Sequence, residues 1–272
     1  MTKILVVDET KLAECVGLWL AEGDNKSKLE ITITNNCWDI IIYFHFLMKK
    51  LFKDIKPRIY VYDSNKYFKK INLDNIRFRY YIDRRAKKTY YIYRIADVKI
   101  VKMWHKIIKK IKLKKYLYEH ILRGFFAGEG NLKEGSHSNR TIRIAQGKSN
   151  NFLEAILKKL GVDFKFSQRE RSYVITGRKN WSILAQKRIA DLHPIKKSKF
   201  WRIFNSYKQW HYPRNFIINN ILNYLDEPRS SKQLTYEFNR SQDRIQQVLT
   251  RLKKENKVIN FRIRSTDYWI KR

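Results

Sequence analysis

The feature that most constrains this chain is a short motif that occurs twice. "CVGLWLAEG", at Cys15–Gly23, aligns with "LRGFFAGEG", at Leu122–Gly130, with glycine, glutamate and glycine at matched positions. Each copy is followed by a polar loop, a strand-like segment and an apolar helix. In the first copy the strand-like segment is 29–36 and the helix is 38–52; in the second copy they are 141–148 and 151–161. The shared order of motif, strand and helix predicts a duplicated domain.

The glycines inside the two motif helices need a reason, because an interior glycine costs about 1 kcal/mol relative to alanine. Gly17 and Ala21 are four residues apart, as are Gly124 and Gly128, so each helix has a strip without side chains along one face. Two such helices can approach backbone to backbone. The two copies are therefore predicted to pack as a pseudo-twofold pair, and Asp8–Thr10 is predicted to cap the first helix.

Each motif helix ends in a glutamate, Glu22 or Glu129. For one copy alone, a solvated helix end followed by a capping glycine is the simpler interpretation. Two matched copies on a basic chain favour a shared site. A helix C-terminus has partial negative charge and free carbonyls, so a glutamate there suits a hard cation such as Mg²⁺ or Mn²⁺. Such a pair can polarise phosphodiester oxygens and activate water, with one site for each strand of a duplex.

The charge of the chain indicates what it binds. There are 59 Lys and Arg residues against 25 Asp and Glu residues, and the formal net charge of +34 predicts a polyanionic partner, with nucleic acid the leading candidate. A membrane partner is not expected, because the longest apolar run, 38–52, contains Asp39 and His45 and is too short to span a bilayer. No signal peptide is visible, and two cysteines without zinc spacing suit a reducing compartment, so a cytoplasmic location is expected.

The two motif copies resemble the LAGLIDADG homing endonucleases, in the form of a single chain with two copies. The resemblance extends over roughly residues 12–210, and the second copy is the more typical. It implies an α+β fold, with a pseudo-twofold pair of αββαββα half-domains at 1–112 and 113–212 whose saddle-shaped antiparallel sheets lie along double-stranded DNA. It also implies a monomeric, metal-dependent DNA endonuclease. Both copies have glutamate where the family name has aspartate.

The resemblance assigns the metal site to the motif glutamates and the glycines that begin the following loops: Glu22, Gly23, Glu129 and Gly130. It further implies a lysine near each metal site that assists the attacking water. "HPIKKSKF" offers Lys196 or Lys197 for the second half. In the first half, six of the residues 106–115 are lysine, and Lys112 is the candidate among them. Neutralisation of phosphates is the alternative role for each of these lysines.

Alternating polar and apolar residues predict strands that face DNA. The alternation covers 28–34 and 141–144, and further hairpins are predicted at 76–95 and 164–177. Arginine on such a face suits guanine. Each residue singly could be a solvated surface charge, so the face as a whole is the stronger prediction. The predicted DNA-contacting residues are Lys28, Glu30, Thr32, Thr34, Arg77, Arg79, Thr141, Arg143, Lys165, Ser167 and Arg169.

The segment 213–272 has a different pattern, set off by Pro213. A helix, a short helix capped at Ser230 or Ser231, a longer helix capped at Ser241 and a two-stranded ribbon resemble a winged helix-turn-helix. Its predicted core is Ile217, Ile221, Leu225, Leu234, Phe238, Ile245, Val248, Leu249, Leu252 and Trp269. Its predicted DNA contacts are Gln242, Arg244, Gln247, Arg251, Arg262 and Arg264. A protein-binding winged helix is the alternative.

Three functions remain open from the sequence. The first is a site-specific double-strand DNA endonuclease of homing type, which hydrolyses phosphodiester bonds with divalent metal ions held by the two motif glutamates. The second is a non-catalytic, sequence-specific DNA-binding transcriptional regulator, and the third is an RNA maturase. The presence of both carboxylates in register favours the endonuclease, since binding-only relatives tend to lose one or both.

Overall fold

A computed structural model of the chain describes residues 8–65, 71, 73, 76–134, 140–207 and 215–272. These residues form two compact units, the first ending at Ser206 and the second beginning at Tyr207. The predicted break at Pro213 lies outside the described residues. Within the described ranges, no helix combines the length and the apolar character needed to cross a membrane.

Among its described residues, the first part of the first unit contains three helices and a four-stranded sheet. In chain order these are α1 (Glu9–Glu22), β1 (Ile31–Asn35), α2 (Trp38–Leu51), β2 (Arg58–Asp63), β3 (Arg77–Ile82), β4 (Tyr90–Ile95) and α3 (Val98–Leu113). The strands lie in the order β1-β4-β2-β3. The pairs β1–β4 and β4–β2 are antiparallel, whereas β2 and β3 run parallel.

The second part begins with a short 3-10 helix, Lys115–Leu117. Its further elements are α4 (Tyr118–Glu129), β5 (Gly130–Glu134), β6 (Arg140–Ala145), α5 (Asn151–Lys159), β7 (Lys165–Ser167), β8 (Ser172–Ile175), α6 (Arg178–Gln186) and α7 (Pro194–Asn205). The strands form an antiparallel sheet of order β5-β6-β8-β7. The unit is therefore of the α+β class. The predicted hairpin over 164–177 is confirmed as β7 and β8.

Both parts join the motif helix to the next strand in the same way. Gly23 forms a β-bridge with Ile33, and Gly130 pairs with Ile144. After the second motif, however, the predicted polar loop is wrong, because β5 starts at Gly130 itself. The predicted cap of α1 is confirmed, since the Asp8 carboxylate accepts a hydrogen bond from the backbone N–H of Thr10 at 2.9 Å.

The predicted hairpin over 76–95 is wrong, because β3 and β4 do not pair with each other. Instead, β2 lies between them, a strand that the sequence pattern did not indicate. Ile59, Tyr60 and Val61 of β2 are buried, whereas β3 is largely exposed. The more apolar strand takes the central position, where both of its edges are covered, and the arginine-bearing strand takes the edge. The first sheet is therefore mixed and not antiparallel throughout.

The strand predicted to begin at Lys28 begins three residues later, at Ile31. The Ser27 hydroxyl accepts hydrogen bonds from the backbone N–H groups of Leu29 at 3.3 Å and Glu30 at 3.2 Å. Such a local turn competes with strand formation. Leu29 is 69% exposed, so the predicted alternation of buried and exposed residues holds only within β1.

The described residues of the second unit form α8 (Phe216–Asn220), a 3-10 helix (Ile221–Tyr224), β9 (Arg229–Ser230), α9 (Ser231–Phe238), α10 (Gln242–Lys254), β10 (Val258–Ile263) and β11 (Thr266–Lys271). The three strands form a sheet of order β10-β11-β9. Ser230 begins α9 through a reciprocal capping box with Gln233, and Ser241 caps α10. All ten residues predicted for this core are buried together, and Val258 joins them.

Candidate active site

The motif helices α1 and α4 pack directly against each other along their glycines. A Cβ atom added to Gly17 would overlap the backbone carbonyl of Ile121, and one added to Gly124 would overlap the carbonyl of Glu14. The contact is reciprocal, because Glu14 and Ile121 occupy the same position in the two motif copies. The predicted approach of backbone to backbone is confirmed.

Both helices end in the same way. The backbone N–H of Gly23 bonds to the carbonyl of Trp19, that of Gly130 bonds to the carbonyl of Phe126, and both glycines then have extended backbone angles. A Cβ on either glycine would collide with the side chain four residues before it. The chain therefore leaves each helix in a tight turn, and the preceding glutamate stands as the last residue of its helix.

The two glutamates share one partly buried environment. Burial is the largest cause that raises the pKa of Glu22 to about 7, and the nearby charge of Glu129 raises it further. Lys196 and a hydrogen bond from Asn35 act in the opposite direction. Burial also raises the pKa of Glu129, against the effect of Lys196. Two carboxylates that repel each other in a low dielectric favour a bound cation.

Lys196 lies in the first turn of α7 and binds the end of α4. Its Nζ donates hydrogen bonds to the carbonyl oxygens of Phe126 at 3.2 Å and Ala127 at 2.7 Å, and to that of Gly128. A cation is well placed there, because the C-terminus of a helix has partial negative charge. Burial nevertheless lowers the pKa of Lys196 to about 8, opposed by the two glutamates.

His193 positions this lysine by capping α7. Its Nδ1 accepts a hydrogen bond from the backbone N–H of Lys196 at 3.4 Å. Burial and the charge of Lys196 lower the pKa of His193 to about 4, so that its ring is neutral near pH 7. A neutral ring with an acceptor nitrogen is what the cap requires.

A cavity of about 360 Å³ opens beside the carboxylate of Glu22, lined by Glu22, Thr34, Asn35, Asn36, Tyr90, Gly128, His193 and Lys196. Glu129 is not among the lining residues, but a Cβ atom added to the preceding residue, Gly128, would lie 3.3 Å from Oε1 of Glu22, so the ends of the two helices meet beside this cavity. Asn35 holds Glu22 in place by donating to its Oε1 at 2.9 Å, while its own Oδ1 accepts from the backbone N–H of Cys37 at 2.8 Å.

Asn35, Asn36, Tyr90 and His193 line the cavity but were not predicted as site residues from the sequence. Asn35 had a usable signal, since it ends the strand after the motif and its carboxamide forms a turn before α2. His193 also had one, since it precedes Pro194 at the start of the segment that offered Lys196. Tyr90 had none, because it reaches the cavity from a strand distant in the chain. No three or more His, Cys, Asp and Glu side chains of the described residues form a metal-binding group, so the two glutamates stand as a pair.

The prediction of Lys112 as a catalytic lysine is wrong. Its ammonium lies 4.3 Å from the centroid of the Phe152 ring, and Phe152 packs against Tyr118. Tyr118 is the first residue of α4 and Glu129 the last. At 1.5 Å per residue, these two ends of the helix are about 16 Å apart. Of the two candidates on α7, Lys196 faces the site and Lys197 is exposed.

The side chains predicted to contact DNA from the first unit differ in accessibility. Thr141 does not fit the prediction of a DNA contact, because its short side chain lies beside Lys133 of β5 and the residue is only 6% exposed. Glu30 and Arg143 form ion pairs, with Arg94 and Glu170 respectively. Thr32, Thr34 and Ser167 are partly exposed, and the exposed residues are Lys28, Arg77, Arg79, Lys165 and Arg169. In the second unit, all six predicted residues are exposed: Gln242, Arg244, Gln247, Arg251, Arg262 and Arg264.

Comparison with known proteins finds likeness at the level of structure. No family profile and no curated protein matches the chain. A crystal structure of I-DmoI in complex with DNA and Ca has 17% identity and a TM-score of 0.46, covering 71% of this chain and 98% of that chain. Variants of the homing endonuclease I-DmoI have 16% identity and a TM-score of 0.42, covering 73% of this chain and 97% of that chain. At this level of identity, function is inferred from the chain's own residues.

Proposed function

We propose that this protein is a site-specific double-strand DNA endonuclease of homing type, which hydrolyses phosphodiester bonds with Mg²⁺ or Mn²⁺. The observation that supports this proposal is the meeting of Glu22 and Glu129 at the ends of two glycine-packed helices, beside Lys196. The chain has a formal net charge of +34, so it attracts polyanions. The raised pKa values of both acids mean that their ionised forms are unfavourable in the folded protein, so this half-buried pair is explained by a catalytic role and not by stability.

The donor set fits a hard cation. Mg²⁺ is commonly bound by one or two carboxylates together with waters and substrate phosphates, so a pair of glutamates is sufficient. Glu22 and Glu129 would hold the metal, beside the turns at Gly23 and Gly130. When bound, the metal supplies charge stabilisation to the phosphoryl oxygens and lowers the pKa of a coordinated water.

The remaining residues of the site would orient groups and move a proton. Asn35 keeps the Glu22 carboxylate turned toward the cavity through its 2.9 Å hydrogen bond. Lys196 has a pKa lowered to about 8, near the range in which a group both binds and releases a proton efficiently. It would assist the attacking water from its position on α7.

We further infer two pseudo-twofold half-domains, 1–112 and 113–212, and a winged helix-turn-helix at 213–272. The reciprocal glycine contacts support the first inference. The element order, the caps at Ser230 and Ser241 and the shared core support the second. One chain would then have both cutting sites and act as a monomer, and α10 would add phosphate and base contacts beyond one half-site.

The proposal is tested with two separate variants, Glu22→Gln and Glu129→Gln. Each variant should lose double-strand cutting of the DNA that flanks the gene's own insertion point, while binding without Mg²⁺ is retained. Glu227→Gln, at an exposed position of the second unit, is the matched control and should cut normally. Full double-strand cutting by either site variant would rule out the assignment. Binding without cutting by the unaltered protein, in Mg²⁺ and in Mn²⁺, would instead indicate a regulator.

A further inference from the structure

The first sheet has a ladder of tyrosines on the face opposite Ile59 and Val61, the buried aliphatic residues of β2. Tyr90, Tyr62 and Tyr81 lie side by side in register on β4, β2 and β3. The Tyr62 ring stacks on Tyr90 with a centroid distance of 4.8 Å and an interplanar angle of 3°. It stacks on Tyr81 at 5.2 Å and 20°. Three neighbouring rings are thus nearly parallel and extend across the sheet.

The two ends of this tyrosine ladder differ. Tyr90 lines the cavity beside Glu22, and its hydroxyl donates to Asp83 at 3.1 Å. Tyr81 belongs to the edge strand β3 and is 39% exposed. Among the described residues, the Tyr81 ring contacts two aromatic rings, Tyr62 and Tyr60, and both belong to the neighbouring strand β2. No described strand lies beyond β3, so the stack ends at the edge of the sheet. The ladder therefore extends from the candidate active site to an open aromatic ring.

Positive charge accompanies the open end. Arg77 and Arg79 precede Tyr81 at two-residue spacing, which puts all three side chains on one face. Both arginines are exposed, and neither forms an ion pair with a residue in the described ranges. Arg58 stands directly beside Arg77 in the next strand, and both line a cavity of about 910 Å³ together with Lys49, Lys53 and Lys56.

We propose that this edge of the first sheet binds single-stranded nucleic acid, with an unpaired base stacked on Tyr81 and its phosphates held by Arg77 and Arg79. In a duplex, neighbouring base pairs cover the faces of each base, and proteins contact the edges. An aromatic ring at the end of a stack can bind a base by stacking only if a face of that base is free, as it is in a single strand. Aromatic rings beside a positively charged groove are the combination that binds single strands without sequence preference.

This inference goes beyond the proposed endonuclease, which acts on duplex DNA through the two glutamates. The test accordingly uses neither duplex nor metal. Fluorescence anisotropy in EDTA compares a 12-nucleotide adenine DNA with a 12-nucleotide abasic strand, which has the same charge and no bases. The unaltered protein should bind the adenine strand about tenfold more tightly, within the range reported for stacking of one base.

Variants identify the ring responsible. Tyr81→Ala should remove the preference for adenine over the abasic strand, and Tyr81→Trp should keep it. Arg77→Ala should weaken binding of both strands equally. Phe46→Ala removes a ring that is 53% exposed on α2 and should change nothing. Circular dichroism checks that each variant is folded, and Tyr81→Trp tests the proposal even if the alanine variant is unstable.

Base-dependent binding of either the DNA strand or an RNA strand of the same sequence supports the proposal. Equal binding of adenine and abasic strands by the unaltered protein overturns it, as does a preference that persists in folded Tyr81→Ala protein. Neither result bears on cutting, which Glu22→Gln tests independently.

Discussion

Replacing Glu22 with glutamine should stabilise the metal-free protein at alkaline pH. The pKa of Glu22 is raised from 4.5 to about 7, so the folded state holds this proton more tightly than the unfolded state does. Below pH 4.5 both states are protonated and the favourable contribution is complete. As the pH rises to 7 the unfolded state releases its proton first, and stability falls by about 3 kcal/mol in total. This figure is an upper value, since Glu129 shares the titration.

Urea unfolding in EDTA, from pH 4.5 to pH 8.5, measures this contribution. Glutamine keeps the oxygen that accepts from Asn35, so the variant loses the charge and retains the hydrogen bond. The free energy of unfolding of Glu22→Gln should exceed that of the unaltered protein by up to about 3 kcal/mol near pH 8 and converge with it near pH 4.5. Glu227→Gln should follow the unaltered protein at every pH. A difference that does not change with pH would refute the shared, desolvated site.

Four further predictions concern the helix contact, the cap of α9, the charge of the chain and the DNA contacts of the second unit. Gly124→Ala should destabilise the first unit by about 1–3 kcal/mol, because the added methyl group overlaps the Glu14 carbonyl. Gly147→Ala is the control and should leave the stability unchanged, because a Cβ atom added there meets nothing within 4 Å. Equal unfolding curves for the two variants would contradict the close packing of the helices. Ser230→Ala should lower the stability of the second unit by about 1 kcal/mol through loss of the capping box, measured by urea unfolding of a chain that starts at residue 207; an unchanged midpoint would contradict it. The affinity for duplex DNA should fall steeply with salt, by about 0.9 in the log–log slope for each neutralised phosphate; a nearly flat dependence would indicate another kind of partner. Removal of the second unit after Ser206 should shorten the DNA footprint at one end only, and identical footprints would mean that this unit does not touch the DNA.

The elements that were predictable from sequence are those whose signals are local or repeated. The motif helices carry matched glycines, and the core of the second unit follows helical periodicity closed by serine caps. The order of strands in the first sheet has no such local signal. It depends on which strands bury most surface, so β2 lies between β3 and β4 although β3 and β4 are neighbours in the chain.

The candidate site was predictable to the extent that it repeats. Glu22 and Glu129 follow from the duplication, but a run of lysines has no local signal that tells which one turns inward. Lys112 therefore failed as a candidate: it covers the ring of Phe152, at the far end of α4. Tyr90 joins the cavity only through packing of a strand distant in the chain.

Duplication of the motif does not make the two acids equivalent. Lys196 binds the carbonyls at the end of α4, whereas at the matching end of α1 the Trp19 ring packs edge-on against Trp104 and His105 of α3. Glu22 accepts a hydrogen bond from Asn35, and no described residue donates one to the Glu129 carboxylate. The backbones of the two helices are thus repeated while the groups around their last residues are not. A lysine at one helix end and aromatic rings at the other polarise their surroundings differently, so Glu22→Gln and Glu129→Gln need separate measurement. If the protein cuts duplex DNA as proposed, the two strands meet chemically distinct sites.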